Sequence, residues 1–115
     1  MSLFSESIKV NETIEEINLS FNNMNGKIMK NLSEAIEKNK KIKKINFFRN
    51  NLNLEEMKLI ANFLRVNETL EVLNISSNFF DSESVKILCE ALKKNKKLNS
   101  LDFSGNYFDA QGEMK

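Results

Sequence analysis

The side chains that most often carry chemistry are scarce in this sequence. None of the 115 residues is histidine and only Cys89 is cysteine, so the commonest general base and metal ligand is missing and no Cys/His pair can form. No phosphate-cradling glycine loop, zinc spacing or paired-acid motif occurs. An arginine finger through Arg49 has no catalytic context around it. This residue set points to a protein that is not an enzyme, takes no cofactor or metal and has no small-molecule substrate. The reactive groups that remain are cationic. Lysines cluster at Lys38-Asn-Lys-Lys-Ile-Lys-Lys44 and Lys93-Lys-Asn-Lys-Lys97, the kind of run that meets backbone phosphates. Arginine, better suited to bidentate phosphate contacts, is limited to Arg49 and Arg65.

The elements that position these groups follow from a repeat. Ile14, Ile42, Leu70 and Leu98 stand at a constant step of 28, and the same step relates Ile17/Ile45/Leu73/Leu101, Leu19/Phe47/Ile75/Phe103 and Asn22/Asn50/Asn78/Asn106. Each position is therefore a column of four residues, as in a solenoid. The second and third apolar columns alternate with polar neighbours at period 2, which predicts a short strand with one buried face in each repeat. After Met24, Leu52 and Phe80 the period becomes helical: Met29, Leu32, Ser33 and Ile36, then Met57, Ile60, Ala61 and Leu64, then Val85, Leu88, Cys89 and Leu92 stand at i, i+3, i+4 and i+7. Asn53 and Asp81 suit N-caps, with Glu55, Glu56 and Glu83 in the first turns. The column Asn11/Asn39/Asn67/Asn95 ends the helices, where asparagine would accept the left-handed C′ conformation. Cys89, in the small column Ser33/Ala61/Cys89, reads as a buried structural thiol.

One domain spans 1–115. Residues 1–11 form an N-terminal half-repeat helix, with Phe4 and Ile8 in the columns of Leu32 and Ile36, and repeats start near 12, 40, 68 and 96. The fourth has its strand and its turn through Phe108, then stops at Lys115 about where its helix should begin, so its open edge is expected either to fray or to dock another chain. A net charge of +1 gives no global steering toward nucleic acid or membrane. The N-terminus lacks the basic start and apolar core of a signal peptide, and no apolar run approaches the ~18 residues of a membrane span. With a lone cysteine, the reading is an intracellular and by default cytoplasmic protein that does not enter a membrane.

The pattern L-x-x-L-x-L-x-x-N-x-h, followed by Asn78-Phe-Phe-Asp-Ser-Glu-Ser-Val-Lys-Ile-Leu-Cys-Glu-Ala-Leu-Lys-Lys-Asn95, resembles the ribonuclease-inhibitor-like subfamily of leucine-rich repeat proteins. The resemblance implies an α/β fold, a right-handed solenoid with four parallel strands on the concave face and helices on the convex face, used mainly to bind other proteins. Its members include a ribonuclease inhibitor, actin-capping proteins, innate immune sensors and a GTPase activator, so the fold does not choose the function.

The columns also sort the candidate ligand-binding residues. Asn22/Asn50/Asn78/Asn106 is structural: a side-chain amide at the strand's corner can bond backbone groups of adjacent turns. Glu12/Lys40/Glu68/Lys96 and Glu15/Lys43/Glu71 alternate in sign, which sets each lysine between carboxylates of neighbouring turns and weakens a phosphate role. The outward strand columns are Glu16/Lys44/Val72/Ser100, Asn18/Asn46/Asn74/Asp102 and Ser20/Phe48/Ser76/Ser104, and beside them runs Phe21/Arg49/Ser77/Gly105. Phe48 is an aromatic in a column of serines. Aromatic and arginine side chains dominate interface energetics, which makes Phe21, Lys44, Asn46, Phe48, Arg49, Val72, Asn74 and Asp102 the expected partner-binding set, with Tyr107 at the open edge. The function expected is a protein-protein interaction module, an adaptor or small accessory subunit of a larger assembly. The alternative is an accessory protein of a ribonucleoprotein such as the ribosome, held to RNA by its lysine edges.

Overall fold

Strand and helix alternate along the whole described chain. The structure is a computed structural model that describes residues 3–24 and 26–107. The elements are α1 (Leu3–Val10), β1 (Glu16–Asn18), α2 (Gly26–Lys38), β2 (Lys44–Asn46), α3 (Leu54–Val66), β3 (Val72–Asn74), α4 (Ser82–Lys94) and β4 (Ser100–Asp102). The strands form one parallel sheet in the order β1-β2-β3-β4, with Ile17, Ile45, Leu73 and Leu101 side by side. Parallel neighbours need crossovers, and here each crossover is a helix, which stacks α1 to α4 behind the sheet. No helix among the described residues is long and apolar enough to cross a membrane.

The core fills the space between sheet and helices. Phe47, Ile75 and Phe80 from the strand side, and Met57, Ile60 and Leu64 from α3, are fully buried. Burial grades from the middle outward. Ile42 and Leu70 are closed off, while Ile14 in the same column is 39% exposed and Leu98 is half-buried. Phe4 shares its column with the buried Leu32, Ile60 and Leu88 but is 46% exposed. Apolar columns are thus covered throughout the inner turns and only in part in the outer ones, where Ile8, Leu88 and Ala91 stay buried.

The same cause corrects the reading of Cys89. It is exposed, although Ser33 and Ala61 of its column are buried, because α2 and α3 are each followed by another helix and α4 is not among the described residues. The fourth repeat's continuation through Phe108 to Lys115 lies outside the described residues.

Asparagines stitch the turns together at two levels. In the strand-corner column, Asn50 Oδ1 accepts the N–H of Asn22 and Met24, Asn78 Oδ1 those of Asn50 and Leu52, and Asn106 Oδ1 those of Asn78 and Phe80, all at 2.8–3.1 Å. The amide nitrogens donate back to the preceding turn, Asn50 to the Leu19 carbonyl, Asn78 to Phe47 and Asn106 to Ile75. The second column forms a ladder too, which the helix-end reading missed. Asn67 and Asn95 have extended backbones at φ −74° and −88° rather than the left-handed conformation. Their side chains take over the orphan carbonyls of the helix before: Asn39 Nδ2 donates to Ile8, Asn67 to Ile36 and Asn95 to Leu64. Each Oδ1 meanwhile caps its own turn, as Asn67 does with the N–H of Thr69 and Leu70.

Candidate protein-binding surface

Left-handed backbone sits elsewhere, at Asn23 and Asn51 and throughout one whole column. Phe21, Arg49, Ser77 and Gly105 have φ of 61°, 58°, 56° and 69°. Their N–H groups explain it: Phe21 donates to the Phe48 carbonyl, Arg49 to Ser76 and Ser77 to Ser104, each in the next turn, and only this tight corner aims them there. Glycine takes this conformation freely, whereas L side chains are strained in it by about 1–2 kcal/mol. At Gly105 a Cβ would also stand 2.8 Å from Ser77 Oγ. Phe21 and Arg49 therefore occupy positions where the fold alone would favour glycine.

Those two side chains gather with Phe48. The Phe21 and Phe48 rings meet edge to face at 5.2 Å between centroids, and the Arg49 guanidinium lies over the Phe21 ring at 5.8 Å, in range of a cation–π attraction. Phe21 is 65% exposed and Phe48 half-buried beneath it. Of the serines flanking Phe48 in its column, Ser76 is buried rather than outward.

The remaining expected residues divide into three groups. Lys44 pairs with Glu16 at 3.4 Å and borders a groove of about 370 Å³ that Asn46, Val72 and Asn74 also line, on the exposed face of the sheet. The asparagine column there is half engaged: Oδ1 of Asn46 accepts the Phe48 N–H, that of Asn74 the N–H and hydroxyl of Ser76, and Asp102 does the same with Ser104. The Nδ2 groups of Asn46 and Asn74 have no partner among the described residues and face the groove. Tyr107 is apart from this cluster. It stacks on Phe79 at 5.4 Å and 6° between planes, both rings well exposed. Phe79 was missed from sequence, although its column Asn23/Asn51/Phe79/Tyr107 turns from amide to aromatic there.

The lysine edge mixes signs as expected, with few close pairs. Between turns, ion pairs within 4 Å form only at Lys44–Glu16 and at Lys97–Glu71 among the described residues. Lys40, Lys41 and Lys43 instead share a shallow groove with Glu15, Glu68 and Glu71. Cations and carboxylates are mixed there at longer range, so no purely basic surface results.

Strand-helix turns on a fixed period, apolar columns and an asparagine ladder define a leucine-rich repeat protein, and the comparisons agree. The family model described as Leucine Rich repeat matches residues 10–33 and 66–89, and the fold is that of a leucine-rich repeat solenoid. No curated protein matches it. Among solved structures it is similar to a tropomodulin C-terminal domain from Caenorhabditis elegans, with TM-score 0.81 and 17% identity over 89% of this chain. It is also similar to a structure titled Leiomodin-1 Actin-Binding Site 2, with TM-score 0.78 and 25% identity over 94% of this chain. The chain spans 62% and 64% of the lengths of those two.

Proposed function

We propose that this chain, acting as one unit over 1–115, is a non-enzymatic protein-binding module that works inside the cell as an adaptor or small accessory subunit. The observation that carries the reading is the Phe21–Phe48–Arg49 cluster. Two of its members hold left-handed backbone that glycine would fill without strain, and such strain gathers at functional positions. All three are of types enriched where interfaces are strongest. The adjoining groove adds apolar Val72 and the outward amides of Asn46 and Asn74. Even with the buried Ser76 counted, the twelve positions of the three strand columns fall short of the about 20 to 30 residues a side of a standard interface, so the Phe79–Tyr107 stack extends the contact or the affinity is modest.

The structure titled for an actin-binding site of leiomodin-1 makes monomeric actin the first partner to assay, beside affinity purification from the source cell. Each bound protein is measured against the wild-type chain and Phe48→Ala at about 50 and 200 mM salt. Binding that Phe48→Ala weakens at least tenfold, with little change between the two salts, supports the reading. Binding that ignores Phe48→Ala overturns it, and if it also collapses with salt it favours the ribonucleoprotein alternative.

A further inference from the structure

Along one column, the exposed face of the sheet offers hydrogen-bond donors only. Asn18, Asn46, Asn74 and Asp102 stand side by side on β1 to β4, and each turns an oxygen to its own corner. Oδ1 of Asn18 accepts the N–H and hydroxyl of Ser20, that of Asn74 those of Ser76 and that of Asp102 those of Ser104, while Asn46 takes the Phe48 N–H. Backbone N–H groups need acceptors, which fixes the orientation of the three amides. Toward solvent this leaves a row of three Nδ2 groups, those of Asn18, Asn46 and Asn74, with no acceptor among the described residues. The row borders the groove that Val72 also lines.

A row that only donates fits a ligand that accepts. The charges beside it agree. The Arg49 guanidinium over Phe21 is in no ion pair among the described residues, whereas the carboxylate in the groove, Glu16, is held by Lys44 at 3.4 Å. Carboxylates of a partner complement this face better than cations do.

The spacing of the row says what carries them. Adjacent strands lie about 4.8 Å apart, so the three donors span about 9.6 Å. Side chains at i, i+4 and i+7 of an α-helix share a face and rise about 10.5 Å. In an extended chain the same-side positions i, i+2 and i+4 cover about 13 Å and overshoot the row. A helix lying across the strands therefore sets one carboxylate on each amide. Val72 in the groove and the Phe21–Phe48 pair beside it supply apolar contact next to that stripe.

We propose that the partner of this face is an amphipathic α-helix of another protein, laid across β1 to β3, whose carboxylates at i, i+4 and i+7 accept from Asn18, Asn46 and Asn74. The inference rests on the reading of this face as the protein-binding surface, and adds the shape and chemistry of what binds there.

Asp102 shows which variant tests it. It makes with Ser104 the bonds that Asn74 makes with Ser76, so aspartate in this column keeps the corner and removes only the donor. Asn46→Asp should melt with the wild type and place a carboxylate in the middle of the row. The probes are two alanine-based peptides of about 18 residues, long enough to form a helix, and of equal composition. One has glutamate at i, i+4 and i+7 with leucine at i+3, the other glutamate at i, i+2 and i+4. In calorimetric titration the wild type should bind the first at least tenfold tighter than the second. Asn46→Asp should weaken that binding at least tenfold, and lysine in place of the middle glutamate should restore it. Equal binding of the two peptides, no binding of the first up to millimolar concentration, or indifference to Asn46→Asp overturns the proposal. Phe48→Ala judges the surface separately: a natural partner weakened by Phe48→Ala but not by Asn46→Asp leaves the surface standing and removes the acidic helix.

Discussion

Asn78 has its side chain bonded to the preceding turn and to its own, through Oδ1 to the N–H groups of Asn50 and Leu52 and through Nδ2 to the Phe47, Ile75 and Ser76 carbonyls. Alanine there strands buried backbone groups, and Asn78→Ala or Asn50→Ala should lower stability by about 1–3 kcal/mol in denaturant titration. Asn22→Ala should cost visibly less, since Asn22 is exposed and takes no backbone N–H from a preceding turn; equal losses would contradict the ladder. Ser33 makes the opposite case, because its buried hydroxyl has no partner among the described residues while Ala61 fills the same column. Ser33→Ala should raise stability by about 1 kcal/mol. Arg49→Gly separates fold from function: it relieves the left-handed backbone, so the melting temperature should hold or rise while partner binding falls. The strand-corner ladder was readable from sequence because asparagine at one apolar-flanked position in four turns has few other uses. The job of Asn39, Asn67 and Asn95 was not. Asparagine suits both a left-handed cap and a cross-turn amide, and the choice rests on where the neighbouring helix leaves its carbonyls.

Helices α3 and α4 show how the elements are held at their starts. Both open on a capping box, Asn53 with Glu56 and Asp81 with Ser84; sequence named Asn53 and Asp81 as the N-caps but not the reciprocal bonds from Glu56 and Ser84. Glu56 does more than its box requires. One oxygen accepts the Asn53 N–H at 2.8 Å and the other the Gly26 N–H at 2.9 Å, at the start of α2 one turn earlier. A single buried carboxylate thus serves the N-termini of two helices, where the dipole favours negative charge. Glu56→Ala should destabilise by about 2 kcal/mol, whereas Glu55→Ala, which loses only an exposed pair with Lys58, should change stability by less than about 0.5 kcal/mol. Thermal melts of the two variants side by side decide it. Sequence named both glutamates as first-turn acids and could not rank them, because the Gly26 contact joins residues a full turn apart.

At the scale of the molecule, the burial gradient sets the order of opening. A stack of turns is stabilised by its neighbours, so amides of β2, β3, α2 and α3 should exchange with deuterium slowest and those of α1 and β4 fastest. Uniform protection across the four turns would show that burial does not govern it. The fold class was readable because the columns repeat four times. Cys89 was misjudged because exposure depends on what lies across a gap that a single repeat does not describe. The alternation of Glu12/Lys40/Glu68/Lys96 has one more meaning. It repeats every second turn, and the two family matches, 10–33 and 66–89, begin 56 residues apart. Asn11-Glu-Thr returns as Asn67-Glu-Thr, and Asn39-Lys-Lys as Asn95-Lys-Lys. The sequence thus repeats in pairs of turns, one acidic at its edge and one basic.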